Sequence, residues 1–492
     1  MPDPVPQPGR LKRQLGLFHA VLLGLGSILG TGVFVSIGIA AGVAGPSVLI
    51  AIVLAALLAL CNGLSSAQLA AAHPVAGGTY EYGYKYLNPK LGFTAGWMFL
   101  LAKSASAATA ALGVGTYLLG QFLYDTALIY RLIHEGVNIY YINAVISLSA
   151  LLGITGLVLL GMRRSARGNA LLVAITLAGL FAVVVYVLFV LNDPQGFTSI
   201  DQDFWPDKNP ATLLFSATAL MFVAYTGYGR VATLGEEVHD PRRTIPRAII
   251  ATLSFIALLY LIVGAALIYA VNTYDARIQL GEVLLQIIWW TGGPDWLSTL
   301  IAIAAITAML GVLLNLVLGL SRVLLAMGRR RDMPGFFACV NAAGTTPVPA
   351  VIGVGLLIGG LTLIGDIKTT WSFSAFTVLI YYGITNLAAL RLPAENRLYP
   401  RVLAWAGLGG CLFLCWWVQP IVWMVGCALI VLGLAWHALT PRMFGDPPRP
   451  GERCTRCGYD LRASEGRCPE CGEAIPDQGS DAAAASPRGG ES

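Results

Sequence analysis

The chain has 492 residues, 56% of them apolar and only 12% charged, with a net charge of +5. A soluble domain carries roughly a quarter charged residues, so a water-soluble globule is excluded. The apolar residues form continuous runs without period-two alternation, which excludes a β-barrel as well.

The N-terminal stretch 1–16 is polar and proline-rich and reads as a cytoplasmic tail. The apolar segment after it is too long and too interrupted for a cleavable signal, so it reads as a retained membrane helix. Twelve apolar runs follow in order: about 17–41, 46–71, 92–122, 141–161, 168–191, 212–235, 247–272, 296–327, 348–365, 371–391, 402–418 and 421–440. Each is long enough, or nearly so, to cross a hydrocarbon core of ~30 Å. Only Gln419 and Pro420 separate the last two, which predicts a tight helical hairpin.

Placing the N-terminus inside and alternating sides puts eighteen Lys and Arg before residue 441 on the inner side and four on the outer side. Short inner loops collect positive charge, so both termini are expected in the cytoplasm of a bacterial cell with the chain in its inner membrane. The positive charge then reflects orientation and not nucleic-acid binding.

Two of the apolar runs are broken near their middle by small residues. The first reads Gly30-Thr31-Gly32, next to Ile28. The second reads Tyr225-Thr226-Gly227-Tyr228-Gly229, next to Phe222 and Ala224. Broken helices are tolerated in a bilayer only where the freed backbone groups find partners, and a pair of breaks in the two halves of a chain points to a transport site. The first break offers free N–H groups and a positive dipole end for an α-carboxylate. The second, unwound at 224–228, offers free carbonyls for an α-ammonium. Small residues at these positions also suit close helix packing. Phe222, Tyr225 and Tyr228 are candidates for the pocket wall, or core aromatics.

Lys103 lies ~16 Å along its helix at ~1.5 Å per residue, near the membrane midplane. An ionisable group at that depth is a functional candidate, here for ion coupling; an interhelical hydrogen-bond donor is the plainer role. No Asp or Glu falls in the central part of any run. The chain has no Gly-Lys dipeptide and hence no phosphate-binding loop for an ATP-driven pump. It also has no credible pairing of nucleophile and base for an enzyme.

Past residue 440 the spacing Cys454-x2-Cys457-x10-Cys468-x2-Cys471 predicts a structural Zn²⁺ site of four thiolates in a ribbon spanning 441–475. Disulfides are the alternative, disfavoured in a reducing compartment. Metal binding would supply the folding energy of so small a unit, and the ribbon is a possible protein-docking module. Residues 476–492 have the composition of a disordered tail.

Four ordered stretches carry a resemblance. GSILGTGVF (26–34), SSAQLAAAHPVAGGTYEYG (65–83), FVAYTGYGRVATLGEEVHDPRRTIPRAI (222–249) and LSRVLLAMGRRRDMPGFFACVNAAGTTPVPA (320–350) resemble amino acid permeases of the amino acid–polyamine–organocation superfamily. The likeness covers about residues 10–440. It implies an all-α multi-pass fold, the leucine-transporter-like inverted five-plus-five repeat (17–191 and 212–391), with two appended helices (402–440). It implies alternating-access transport of an amino acid, coupled to H⁺ or Na⁺, with the substrate held between the two breaks. Two departures stand out. Gly229 and Arg230 occupy the place where many members carry an acidic residue. Thr176, in VAITLA, stands where proton-coupled relatives carry a lysine, which turns attention to Lys103 for coupling. Glu236, Glu237, Arg242, Arg243 and Arg247 suggest an inner gate or a solvated loop. Without a pocket carboxylate, neutral amino acids are expected to be favoured. The reading from another class is a sensor, in which a transporter-like domain binds an amino acid and signals through the ribbon.

Overall fold

The computed structural model describes residues 16–444 except 74–76, 124–130, 132–133, 161–165, 191–208, 233–237, 239, 275–281 and 342–345. Every regular element among them is helical. In chain order they are α1 (Leu17–Ile28), α2 (Ile37–Ala44), α3 (Val48–Ala72), α4 (Thr79–Tyr86), α5 (Pro89–Leu118), α6 (Ile139–Leu159), α7 (Ala166–Val190), α8 (Pro210–Tyr225), α9 (Gly229–Ala232), α10 (Pro241–Tyr274), α11 (Val283–Trp290), α12 (Asp295–Arg329), α13 (Val348–Ile364), α14 (Ile367–Leu390), α15 (Arg401–Trp416) and α16 (Pro420–Phe444).

Local sequence sets several boundaries. Asn88 starts α5 by accepting from the Leu91 N–H at 2.8 Å, with Pro89 in the first turn where its missing donor costs nothing. Asn138 caps α6 and Asp366 caps α14 in the same way. The break expected at Gln419-Pro420 is present, with α15 ending at Trp416 and α16 starting at Pro420, but the two helices pack on α14 and not closely on each other, so the tight hairpin is not formed.

Among the described residues nine helical stretches are long and apolar enough to cross a membrane. Three shorter apolar helices accompany them: α1, α13 and α15. The expected run 17–41 is divided, because the chain leaves helical geometry at Leu29 (φ −69°, ψ 111°). Its second half continues through the Gly45–Ser47 turn into α3. Two short helices, α4 and α11, occupy stretches read as loops. At eight residues each they are too short to show an apolar run of spanning length.

α5 packs on α12 and α14, α3 packs on α8 and α10, and α1 packs on α10. These helices form the centre. The apolar window of α5 is 94% buried, whereas that of α16 is 17% buried. Leu152, Phe181, Leu356, Ile364, Trp416 and Val431 stay exposed on the outer helices. That surface is an aggregation liability in water and an ordinary contact face in hydrocarbon.

Candidate functional site

The two breaks meet at the centre of the bundle. After Leu29 the first resumes as a π-helical turn, Gly32–Ser36, before α2. The second is a single 3₁₀ turn, Thr226–Tyr228, between α8 and α9. Gly227 lies so close to the end of α1 that an added Cβ would sit 2.6 Å from Ile28 Cγ1 and 2.7 Å from the Ser27 carbonyl carbon. Gly32 faces the Tyr260 hydroxyl, and its added Cβ would sit 3.2 Å from the Ala224 carbonyl oxygen. Glycine is required at Gly227 because backbone approaches backbone, and at Gly32 chiefly because the Tyr260 hydroxyl fills the space a Cβ would take. Ile28, Gly32, Ala224 and Gly227 are therefore brought together as expected. Gly30 is different: its missing Cβ faces Val312 of α12 at 2.6 Å, so that glycine permits helix packing. Thr31 is buried beside it.

The carbonyls expected to be free at 224–228 are partly engaged. Tyr260 donates its hydroxyl to Ala224 O at 3.1 Å, and Tyr382 donates to Thr226 O at 3.2 Å. Thr226 donates its own hydroxyl to Val223 O at 2.7 Å. A carbonyl has two lone pairs, so each tyrosine occupies one acceptor position and orients the other. On the first break Tyr117 donates to Phe34 O at 3.1 Å. Three tyrosines, from α5, α10 and α14, thus hold the irregular backbone.

The other expected aromatics are fully buried. Phe222 sits edge-on to Tyr382 with centroids 5.8 Å apart, and Tyr228 packs on the same ring at 5.3 Å. Tyr225 leans on Tyr260 at 5.1 Å and donates to Ile52 O at 3.2 Å.

Lys103 reaches the second break directly. Its Nζ donates to Thr226 Oγ1 at 2.7 Å, although the two residues are 123 apart in sequence. Among the described residues Lys103 and Asp332 are the only charged side chains that are buried. Thr176 has a different setting. It donates to Leu172 O at 2.8 Å and lines a cavity of about 10 Å³ with Gly26, Leu29, Val173 and Ala308, beside the first break. The two coupling candidates therefore border opposite breaks. The ribbon cysteines Cys454, Cys457, Cys468 and Cys471, the loop acids Glu236 and Glu237 and the Arg230 side chain lie outside the described residues. Arg243 pairs with Asp240 at 3.7 Å at the exposed start of α10, and Arg242 donates to Asn396 at 3.4 Å.

The sequence reading missed a polar cluster at one end of the bundle. Asp332, just past α12, accepts from Tyr80 at 2.6 Å and Tyr84 at 2.7 Å, both on α4. Its other carboxylate oxygen lies 3.3 Å from His437 Nδ1, and its backbone carbonyl accepts from Trp436 Nε1 at 2.9 Å. Arg330 pairs with Glu81 and covers the Tyr84 ring at 4.2 Å. Burial first, and the adjacent carboxylate second, hold both phenols well above the usual tyrosine range, so they remain donors.

The family model for amino acid permeases matches residues 19–447. The chain belongs to the amino acid permease family. The permease is 35% identical over 435 residues to an uncharacterized transporter of Mycobacterium tuberculosis, covering 88% of this chain and 92% of that protein. It is 27% identical over 435 residues to the branched-chain amino acid permease BcaP of Bacillus subtilis, covering 87% and 89%. It is also 27% identical over 450 residues to the methylthioribose transporter of Bacillus subtilis, covering 88% and 94%. The permease is thus a multi-pass membrane transporter and not an enzyme.

Proposed function

We propose that the permease carries neutral amino acids by alternating access, with the substrate's α-carboxylate and α-ammonium held at the two helix breaks. The observation that carries this reading is the meeting of the breaks at Gly32–Ala224 and Gly227–Ile28. The names of the relatives span different cargoes, so the substrate is argued from the residues around the two breaks. Among the described residues Lys103 is the buried charge beside the breaks, and the buried carboxylate, Asp332, belongs to the cluster at the end of the bundle. A cationic side chain would meet a like charge at low dielectric, at a cost of several kcal/mol.

In this proposal Lys103 is the proton-coupling group. Losing its proton would change the link to Thr226, and so the set of the second break, within the same contact. The proposal keeps twelve spans arranged as two repeats plus two appended helices, both termini in the cytoplasm of a bacterial cell, and a Zn²⁺ held by Cys454, Cys457, Cys468 and Cys471.

The test is uptake of labelled amino acids into proteoliposomes under imposed proton or sodium gradients. Accumulation of leucine or alanine, with lysine and arginine poorly taken up, supports the proposal. Saturable binding without flux refutes transport in favour of the sensor. Preferred uptake of lysine refutes the charge argument.

A further inference from the structure

A cleft of about 640 Å³ opens at the end of the bundle, and none of its lining residues belongs to the helix breaks. It is lined by the turn Tyr86–Leu91, by Leu387, Leu390 and Arg391 from the end of α14, and by Arg401 and Trp405 from the start of α15. Its charge has one sign. Arg391 and Arg401 are exposed and have no ion pair or hydrogen bond through their side chains among the described residues. Glu395, in the turn between them, is exposed and pairs with neither. Lys85, beside the turn, is engaged with His73 at 2.9 Å and lies over the Tyr86 ring at 5.5 Å.

The layout is amphipathic along the helix axes. Arg401 and Trp405 are four residues apart, on one face of α15, so the guanidinium lies at the helix end and the indole about 6 Å further in. Leu387, Leu390 and Arg391 repeat this arrangement on the last turn of α14, with the charge outermost. Val402 and Trp405 are 72% and 60% exposed, so the cleft is continuous with the apolar outer surface of α15. α15 also begins here without a side-chain cap, and its first N–H groups add positive potential.

We propose that this cleft binds an anionic phospholipid, with the phosphate between Arg391 and Arg401 and the acyl chains along Trp405 and Val402. Free phosphate shares the charge but leaves the leucine and tryptophan wall uncovered. Basic pockets between membrane helices hold lipid headgroups by this combination of charge and depth.

The test uses the full chain, delipidated in mild detergent. Native mass spectrometry is run after adding phosphatidylglycerol, phosphatidylcholine or inorganic phosphate. Two arginines predict roughly 30-fold stronger retention of phosphatidylglycerol than of phosphatidylcholine. Arg391→Gln/Arg401→Gln should abolish that preference, while Lys368→Gln, beside the opposite end of α14, should keep it. The two single variants, each expected to lose part of the preference, guard against a folding defect in the double variant. Equal retention of the two lipids, or a preference surviving in the double variant, overturns the proposal. So does displacement of the lipid by millimolar inorganic phosphate, which would make the site one for a free anion. A preference that appears only after residues 446–492 are deleted would assign the cleft to the tail.

Discussion

Gly227→Ala tests whether the meeting of the two breaks is needed for transport. The added Cβ would sit 2.6 Å from Ile28 Cγ1 and 2.7 Å from the Ser27 carbonyl carbon, against the Ser27 oxygen as well. Carbon atoms prefer separations of about 3.5–4 Å, so the end of α1 and the Thr226–Tyr228 turn must part by roughly 1 Å. The Ser27 atoms are backbone and have no rotamer to relieve the overlap. Overpacking of this kind costs about 1–3 kcal/mol, which as lost affinity is roughly 5- to 150-fold. Gly229→Ala, two residues on, is the control. Its Cβ would meet only the Tyr382 hydroxyl at 3.2 Å, the far end of a side chain. The assays are initial uptake rate in proteoliposomes and substrate affinity from ligand-induced thermal shift. Gly227→Ala should lose at least about fivefold in both, with Gly229→Ala close to the parent. If Gly227→Ala stays within twofold while correctly inserted, the two breaks do not clamp the substrate.

Lys103→Met should retain substrate binding and lose gradient-driven accumulation; accumulation persisting in that variant would remove Lys103 from coupling. Glu282, beside α11, is pushed up by burial to about 7 from 4.5, so the folded state holds a proton that the unfolded chain releases. Its effect on stability is therefore most favourable below pH 4.5 and falls as pH rises towards 7. Glu282→Gln should flatten that fall and raise thermal stability above pH 7 by up to roughly 3 kcal/mol; an unchanged pH profile would refute the assignment. Cys457→Ser should lower the bound zinc measured by metal analysis from one per chain towards none. Uptake should survive deletion of 446–492, and its loss in correctly inserted protein would make the ribbon part of the transport machinery.

The helical class and the two breaks were legible because they depend on local composition: length of apolar run, and glycine within it. The position of Lys103 midway along α5 was legible for the same reason, as a count along a helix. Its partner was not, because Thr226 lies on a different helix and nothing local marks the pairing. Tyr260 and Tyr382 were missed because a tyrosine in an apolar run looks like any other core aromatic until its hydroxyl is placed against Ala224 O or Thr226 O. Gly30 was read with Gly32 because they share a motif, yet their bare faces point to different helices. α4 was passed over because TYEYGYKY is short and polar, and its value lies in carrying Tyr80, Glu81 and Tyr84 to residues about 250 positions away.

The cluster around Asp332 has a mechanical consequence. A single side chain binds two phenols from α4 and faces an imidazole from α16, while its carbonyl holds an indole from α16. None of the three helices can slide at that end without breaking bonds that the other two share. The positions of α4, α12 and α16 at that end are therefore coupled through one residue, Asp332. Because α16 is one of the parties, the position of Trp436 and His437 bears directly on the residue that follows α12.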